Sequence, residues 1–388
     1  MPWKESKPMD EKIRFIGYYL ESEWSMAALC REFSISRKTG YKLVMRYLER
    51  GVDGLKDLSR APHYNPNAVS VEIERLIVKA RGEHPTWGPR KLKAWLARHS
   101  PLLKLPSSST IGEILKRHGL IVPRRRSRRT PPYTEPFIGC DSSNRVWCAD
   151  FKGWFKTGDG SRCDPFTLTD AYSRYLLRCQ AVNRTDYYGV KPLFDAAFRE
   201  YGFPLAIRTD NGPPFVTTTL GGLSRLSIEW IKLGIKPERI EPGKPAQNGR
   251  HERMHRTLKA ETATPPRKSM KAQQLAFNRF LIEYNNERPH EALNQRTPTD
   301  LYKPSPTGLP VSLPDIVYPD SYTVRKVHSQ GDIRWRSKQI HLSQTLAGEL
   351  VGFEQLDDRF WNIYFAGIKL AKLDDFNYKI VRINKKKQ

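Results

Sequence analysis

The chain has 388 residues, and its 66 lysines and arginines outnumber 41 aspartates and glutamates to leave a formal net charge of +25. That excess predicts a polyanionic partner, nucleic acid first, while 38% hydrophobic and 11% aromatic content excludes a disordered chain. No apolar run approaches the ~18 residues of a membrane span, and the opening MPWKESKPMDEKIR lacks the apolar centre of a secretion leader, so a soluble, cytoplasmic, nucleoid-associated protein without membrane contact is expected.

The length suggests two or three folded units. Five cysteines without a Cys-x-x-Cys pair indicate neither a zinc knuckle nor a disulfide framework. Helical spacing begins at Glu11–Leu20, resumes at Ser25–Phe33 and again at Arg37–Leu48, with Ser25 and Ser36 as N-caps. Two short helices about a tight turn, the second carrying Arg37, Lys38, Lys42 and Arg46, predict a helix-turn-helix DNA reader in residues 1–60. Gly40 inside that second helix costs about 1 kcal/mol relative to alanine. Residues 68–122 read as a second helix-turn-helix DNA-binding domain, with Arg90 and Lys91 in WGPRKLKAWL and a last helix, Thr110–His118, ended by Gly119. The linker 123–139 follows, where Arg124, Arg125, Arg126, Arg128 and Arg129 suit the phosphates of a DNA strand.

From Asn144 the period changes. Val146–Phe155, Pro165–Thr169 and Tyr175–Val182 read as strands, Asp186–Tyr201 as a helix, and Leu205–Thr209 as a strand running into Asp210. Thr217–Arg225, with Gly221 and Gly222, reads as a loop insertion. Asn248–Glu261 and Lys271–Asn286 read as helices. The whole is expected to be a multidomain α/β chain, its central mixed sheet (140–303) covered by helices on both faces. After a proline-rich stretch, short strands at 320–388 predict a small β-barrel.

Three acids carry the chemistry. Asp150 lies within a strand among Trp147, Phe151 and Trp154, where an acid is costly unless paired or bound to metal. Asp210 sits at a strand end, and Glu252 lies one turn into a helix on the face of Arg256 and Lys259, opposite Met254 and Leu258. Acids on a central strand, an adjacent strand end and a covering helix can converge on a pair of Mg²⁺ ions for phosphodiester chemistry. Two patterns compete: Glu261 as the third acid, and a His251/Glu252/His255 zinc site. Asp170 is a further nearby acid.

VWCADFKGWF, FTLTDAYSRY, RTDNGPPF, PGKPAQNGRHERMHRTLKAE and YNNERPHEAL, in this order, resemble the integrase core of bacterial insertion-sequence DDE transposases, with similarity extending to retroviral integrases. The resemblance covers about residues 144–302. It implies an RNase H-like fold, a triad of Asp150, Asp210 and Glu252 holding two Mg²⁺ (Mn²⁺ substituting), and Lys259 as a contact to the transposon end. The 41 residues between Asp210 and Glu252 exceed the usual family spacing, which the Thr217–Arg225 insertion would absorb. The function so implied is a transposase that binds the terminal inverted repeats of its element in double-stranded DNA and joins them to target DNA, working as a dimer or larger homo-oligomer. A non-catalytic DNA-binding regulator and an RNase H-like nuclease are the alternatives.

Overall fold

The computed structural model describes residues 8–58, 68–121, 139–240 and 249–382, with Arg250 described by its backbone alone. The chain divides into two units, Met1–Ala68 and Val69–Gln388. In the first, α1 (Pro8–Leu20), α2 (Met26–Glu32) and α3 (Arg37–Arg50) close on Phe15, Ile16, Leu29, Cys30, Leu43 and Val44. The Ser25 and Ser36 side chains accept hydrogen bonds from the N–H groups of Ala28 and Thr39, capping α2 and α3. A Cβ on Gly40 would stand 2.5 Å from Cys30 Sγ and 3.1 Å from Phe15 Cζ. The residue that weakens α3 as a helix therefore permits its close packing on α1 and α2.

The second unit opens with α4 (Val71–Glu83), α5 (Pro89–His99) and α6 (Ser108–Arg117), closed around Ile77, Trp87, Leu92, Leu96, Ile111 and Leu115. Polar contacts fix this bundle to the domain that follows. Arg98 forks onto Asp300 at 3.0 and 3.1 Å, His84 Nδ1 lies 2.9 Å from Glu283 Oε1, and the Arg288 guanidinium lies over Trp87.

That domain is built on β1 (Val146–Phe151), β2 (Phe155–Lys156), β3 (Arg162–Asp170), β4 (Leu176–Val182), β5 (Ala206–Thr209) and β6 (Lys236–Arg239). The order is β2-β3-β1-β5-β6, with β4 also on β3; β1, β3 and β4 pair antiparallel, and β1, β5 and β6 parallel. On one face α7 (Tyr187–Tyr201) and α8 (Arg225–Lys232) bury Trp147, Phe166, Leu168, Phe194, Ile207 and Trp230. On the other, α9 (Gly249–Thr262) and α10 (Met270–Asn286) bury Cys163, Cys179, Met254, Leu258, Phe277 and Phe280. The mixed sheet with helices on both faces is thus present.

Two expectations change. Val146–Phe155 is not one strand: β1 stops at Phe151, Gly153 takes φ +83°, and Trp154 is 58% exposed rather than packed about Asp150. The C-terminal module is not a closed barrel. Strands β7 (Thr323–Lys326), β10 (Leu350–Gln355), β11 (Phe360–Phe365), β12 (Ile368–Asp374) and β13 (Lys379–Arg382) form an open sheet in the order β13-β12-β11-β10-β7. The hairpin β8 (Asp332–Trp335) and β9 (Lys338–His341) stays separate in its pairing. Packing supplies what closure would have: Leu220, Leu223 and Ile228, from the insertion and α8, share one core with Val327, Ile333, Phe353, Phe365 and Leu370.

Candidate active site

Strand register decides where the first two acids stand. In the parallel β1–β5 pair, Val146 faces Ala206, Trp147 faces Ile207 and Cys148 faces Arg208. Asp150 lies two residues beyond the last of these pairs, still within β1, and Asp210 directly follows β5, so both acids stand at the same end of adjacent parallel strands, which run ~4.8 Å apart. Asp150 is on the α9 face, because its cross-strand partner Thr167 contacts α9.

Thr167 is wholly buried. Its hydroxyl donates to the Asp150 carbonyl at 3.2 Å and lies 2.8 Å from His251 Nε2 and 2.7 Å from His255 Nε2. One hydroxyl thereby ties β1 and β3 to the first turns of α9. Burial pushes His251 down to about 4 and His255 to about 2, so both imidazoles are neutral at neutral pH. His255 Nδ1 lies 3.9 Å from Asp150 Oδ2.

Asp150 Oδ1 accepts from the Phe151 N–H at 2.8 Å, and Asp210 Oδ1 accepts from the Gly212 N–H at 3.2 Å. The Asn211 amide donates to the Ile240 carbonyl, holding the turn that carries Asp210. Burial raises the Asp210 carboxyl above its ordinary range, opposed by the Gly212 N–H. Glu252 lies between the two histidines in sequence but about 60–100° around the helix from them, exposed beside Arg256 and Lys259 on one face. Met254 and Leu258 are buried opposite. Among the described residues no three His, Cys, Asp or Glu side chains gather closely enough to hold a metal ion. Asp150 and Asp210 thus stand at like ends of neighbouring strands, and Glu252 is on the exposed side of α9. The zinc pattern fails because both Nε2 atoms are spent on Thr167 inside the core.

The competing acids have structural partners. Asp170, 1% exposed, accepts from the Asn144 N–H, the Ser173 N–H and the Ser173 hydroxyl. Glu261 is held by Arg288 at 2.7 Å and by the Thr86 hydroxyl. Sequence reading missed Thr167 and the Glu261–Arg288–Trp87 seam; the polar alternation in PFTLTD was the available sign of the first.

The basic residues divide. Arg37, Lys38 and Lys42 are exposed on α3, whereas Arg46 turns back to donate to the Lys56 carbonyl. Arg90 pairs with Glu291 at 2.6 Å. Lys91 is half-buried, and burial with the nearby Arg288 charge lowers its ammonium to about 8. Arg46 and Arg90 thus have partners within the chain, Arg90 while remaining 72% exposed. Arg124, Arg125, Arg126, Arg128 and Arg129 lie outside the described residues.

Comparison with known proteins agrees with this layout. Residues 141–245 and 233–298 match the integrase core domain, residues 39–115 a homeodomain-like domain and residues 11–63 a helix-turn-helix domain. The chain carries an integrase core preceded by helix-turn-helix domains, and it is similar to proteins of insertion elements. Over 267 residues it is 28% identical to the insertion element IS407 uncharacterized 31.7 kDa protein of Burkholderia multivorans, covering 65% of this chain and 89% of that protein. It is 25% identical over 236 residues to the IS476 uncharacterized 39.2 kDa protein of Xanthomonas euvesicatoria, covering 60% and 65%. Among solved structures, the magnesium complex of the HTLV-2 integrase catalytic core covers 42% of this chain and 98% of that one, at 18% identity and TM-score 0.34. A simian T-cell lymphotropic virus intasome with PP2A regulatory subunit B56 gamma covers 76% and 97%, at 16% identity and TM-score 0.37. Asp150 and Asp210 lie within the integrase core match, and the exposed face of α3 lies within the helix-turn-helix match. No described helix is long and apolar enough to cross a membrane.

Proposed function

We propose that the chain is a DNA transposase that binds the terminal inverted repeats of its insertion element and carries out metal-dependent cleavage and strand transfer into target DNA. The observation that carries the reading is that Asp150 and Asp210 stand at the same end of neighbouring parallel strands, Asp150 on the face covered by the helix that bears Glu252. Hard carboxylate oxygens suit Mg²⁺, with Mn²⁺ substituting, and a buried Asp210 carboxyl held above its ordinary range is a charge that a cation would stabilise. Asp150, Asp210 and Glu252 would hold two ions, which supply activation of the attacking oxygen and stabilisation of the leaving one. Arg256 and Lys259 would pair with phosphates of the end as it enters, and Thr167 would keep β1 registered to α9.

In this reading Arg37, Lys38 and Lys42 of a helix-turn-helix module spanning 1–60 grip DNA, 68–122 is a second helix-turn-helix DNA-binding domain, 123–139 is an arginine-rich linker that meets phosphates, 140–303 is the catalytic core, and 320–388 supports it. Joining two ends requires a homodimer at least. The deciding experiment is a strand-transfer assay with labelled element ends, a supercoiled target and Mg²⁺ or EDTA, beside Asp150→Asn and Glu252→Gln. Metal-dependent joined product from the native chain, lost in both variants while they still bind the ends, supports the reading. Cleavage without joining would make the protein a nuclease, and end binding without either reaction a regulator.

A further inference from the structure

Trp154, read from the sequence as a neighbour burying Asp150, is 58% exposed. The bulge that frees it places Gly153 at φ +83° between β1 and β2. Across the β2–β3 pair, Lys156 faces Arg162, and the Arg162 guanidinium lies over the Trp154 ring at 5.3 Å from its centroid. Arg162 is itself fixed: Nε and Nη2 donate to the two carboxylate oxygens of Asp164 at 2.7 and 3.0 Å, and that carboxylate is buried. One face of the indole is therefore backed by an immobilised cation while much of the ring meets solvent.

The surroundings are cationic. In the turn between β2 and β3, the N–H groups of Gly158 and Asp159 donate to the carbonyls of Arg267 and Lys268 at 2.8 Å each, which sets those two exposed basic residues beside the hairpin. The local acid, Asp159, already accepts from the Thr157 hydroxyl at 2.6 Å and the Ser161 N–H at 3.1 Å. A rigid aromatic plane among lysines and arginines fits a base and its phosphates, since stacking needs only a π-face and the cations meet the backbone. Four residues of chain can separate the Cα atoms of Trp154 and Asp150 by at most ~14 Å, about four base steps along a strand.

We propose that Trp154 is a stacking platform for an unpaired base of DNA beside the catalytic acids, with Arg162 backing the ring and Lys156, Arg267 and Lys268 receiving the phosphates. The inference takes DNA as the partner from the reading above but does not depend on cleavage or joining. It is tested by anisotropy with the full chain in EDTA, using a labelled blunt duplex and the same duplex carrying a short single-stranded thymidine tail. Trp154→Ala and Trp154→Leu should weaken binding of the tailed duplex about tenfold, with Trp154→Phe within about twofold of native, because stacking needs a ring and not merely apolar bulk. The blunt duplex should be nearly unaffected. Equal weakening of both duplexes, or native affinity of the Leu variant for the tailed one, overturns the proposal; the Leu and Phe pair keeps the test valid should the Ala variant fold poorly. Cleavage by the native chain and by Asp150→Asn, measured separately in Mg²⁺, reports on the transposase reading alone.

Discussion

Thr167 and His255 meet inside the molecule, hydroxyl to Nε2 at 2.7 Å, with His251 on the same hydroxyl at 2.8 Å. A side chain at the centre of β3 thus sets the position of α9, and with it Glu252 relative to Asp150. Thr167→Val keeps the shape and removes the hydroxyl, leaving two buried imidazoles short of a partner. Unsatisfied buried polar groups cost roughly 1–3 kcal/mol each, so the variant should lose about 3 kcal/mol in urea unfolding, and Thr167→Ser should recover most of it.

The acids should separate by what their removal does to the fold. Asp170 receives three donors, and an asparagine there offers one acceptor oxygen, so Asp170→Asn should cost about 2–3 kcal/mol. Asp210→Asn should melt at or above the native temperature, because burial penalises the charged carboxylate. A melting curve of each variant beside the native chain checks the contrast.

Metal should appear in stability before it appears in turnover. A ligand bound only by the folded state stabilises it by ~2.7 kcal/mol at a hundredfold excess over its Kd. Mg²⁺ or Mn²⁺ should therefore raise the melting temperature of the native chain, and the rise should vanish in Asp150→Asn and Asp210→Asn. A rise that persists unchanged in both variants would place the ion elsewhere.

Much of the fold was legible because it rests on local signals. The serine caps, the helical spacing of the first modules and the apolar strand running into Asp210 are all written within a few residues. The integrase core was legible from five ordered blocks. What stayed hidden depends on partners distant in sequence. That Asp150 and Asp210 stand at like ends of adjacent strands depends on a pairing between segments 60 residues apart. His251 and His255, spaced one helical turn apart as metal ligands would be, are spent on a threonine of another strand. Trp154 was misread because one residue of bulge reverses which side a strand residue faces. Glu291 beside Arg90 and Arg288 near Lys91 were equally out of reach, because sequence shows a charge but not its distant neighbours.

Acid should destabilise this protein well before its ordinary carboxylates titrate. His251, His255 and His290 are buried and held neutral, with pKa values pushed down to about 4, 2 and 3. Unfolded, each takes up a proton near pH 6.5; folded, none does until the pH is far lower. Their contribution is therefore present above pH ~6.5 and lost as the pH falls, by at most about 1.4 kcal/mol per histidine per unit. The raised carboxyls of Asp170, Asp210 and Glu283 act in the opposite sense, since the folded state protonates them first. Urea midpoints at pH 7.5 and 5.5 should fall on acidification, and His290→Asn should flatten the slope.

The C-terminal module should depend on the insertion that lengthens the Asp210–Glu252 interval. Leu220, Leu223 and Ile228 belong to its apolar core, and Lys232 pairs with Glu349 at 3.0 Å. Gly221 sits at φ +67°, where a Cβ would stand 2.7 Å from Leu370 Cδ2. A side chain there meets both backbone strain and a packed neighbour, so Gly221→Val should cost about 2 kcal/mol or more. The open sheet makes the dependence stronger, because the surface that a closed barrel would bury against itself is covered here by residues of the integrase core. Residues 320–388 expressed alone should consequently expose that core and aggregate or bind a hydrophobic dye, whereas residues 69–388 should not. A well-folded isolated module, with dispersed amide resonances and a cooperative melt, would show that the insertion only touches the sheet and does not complete it.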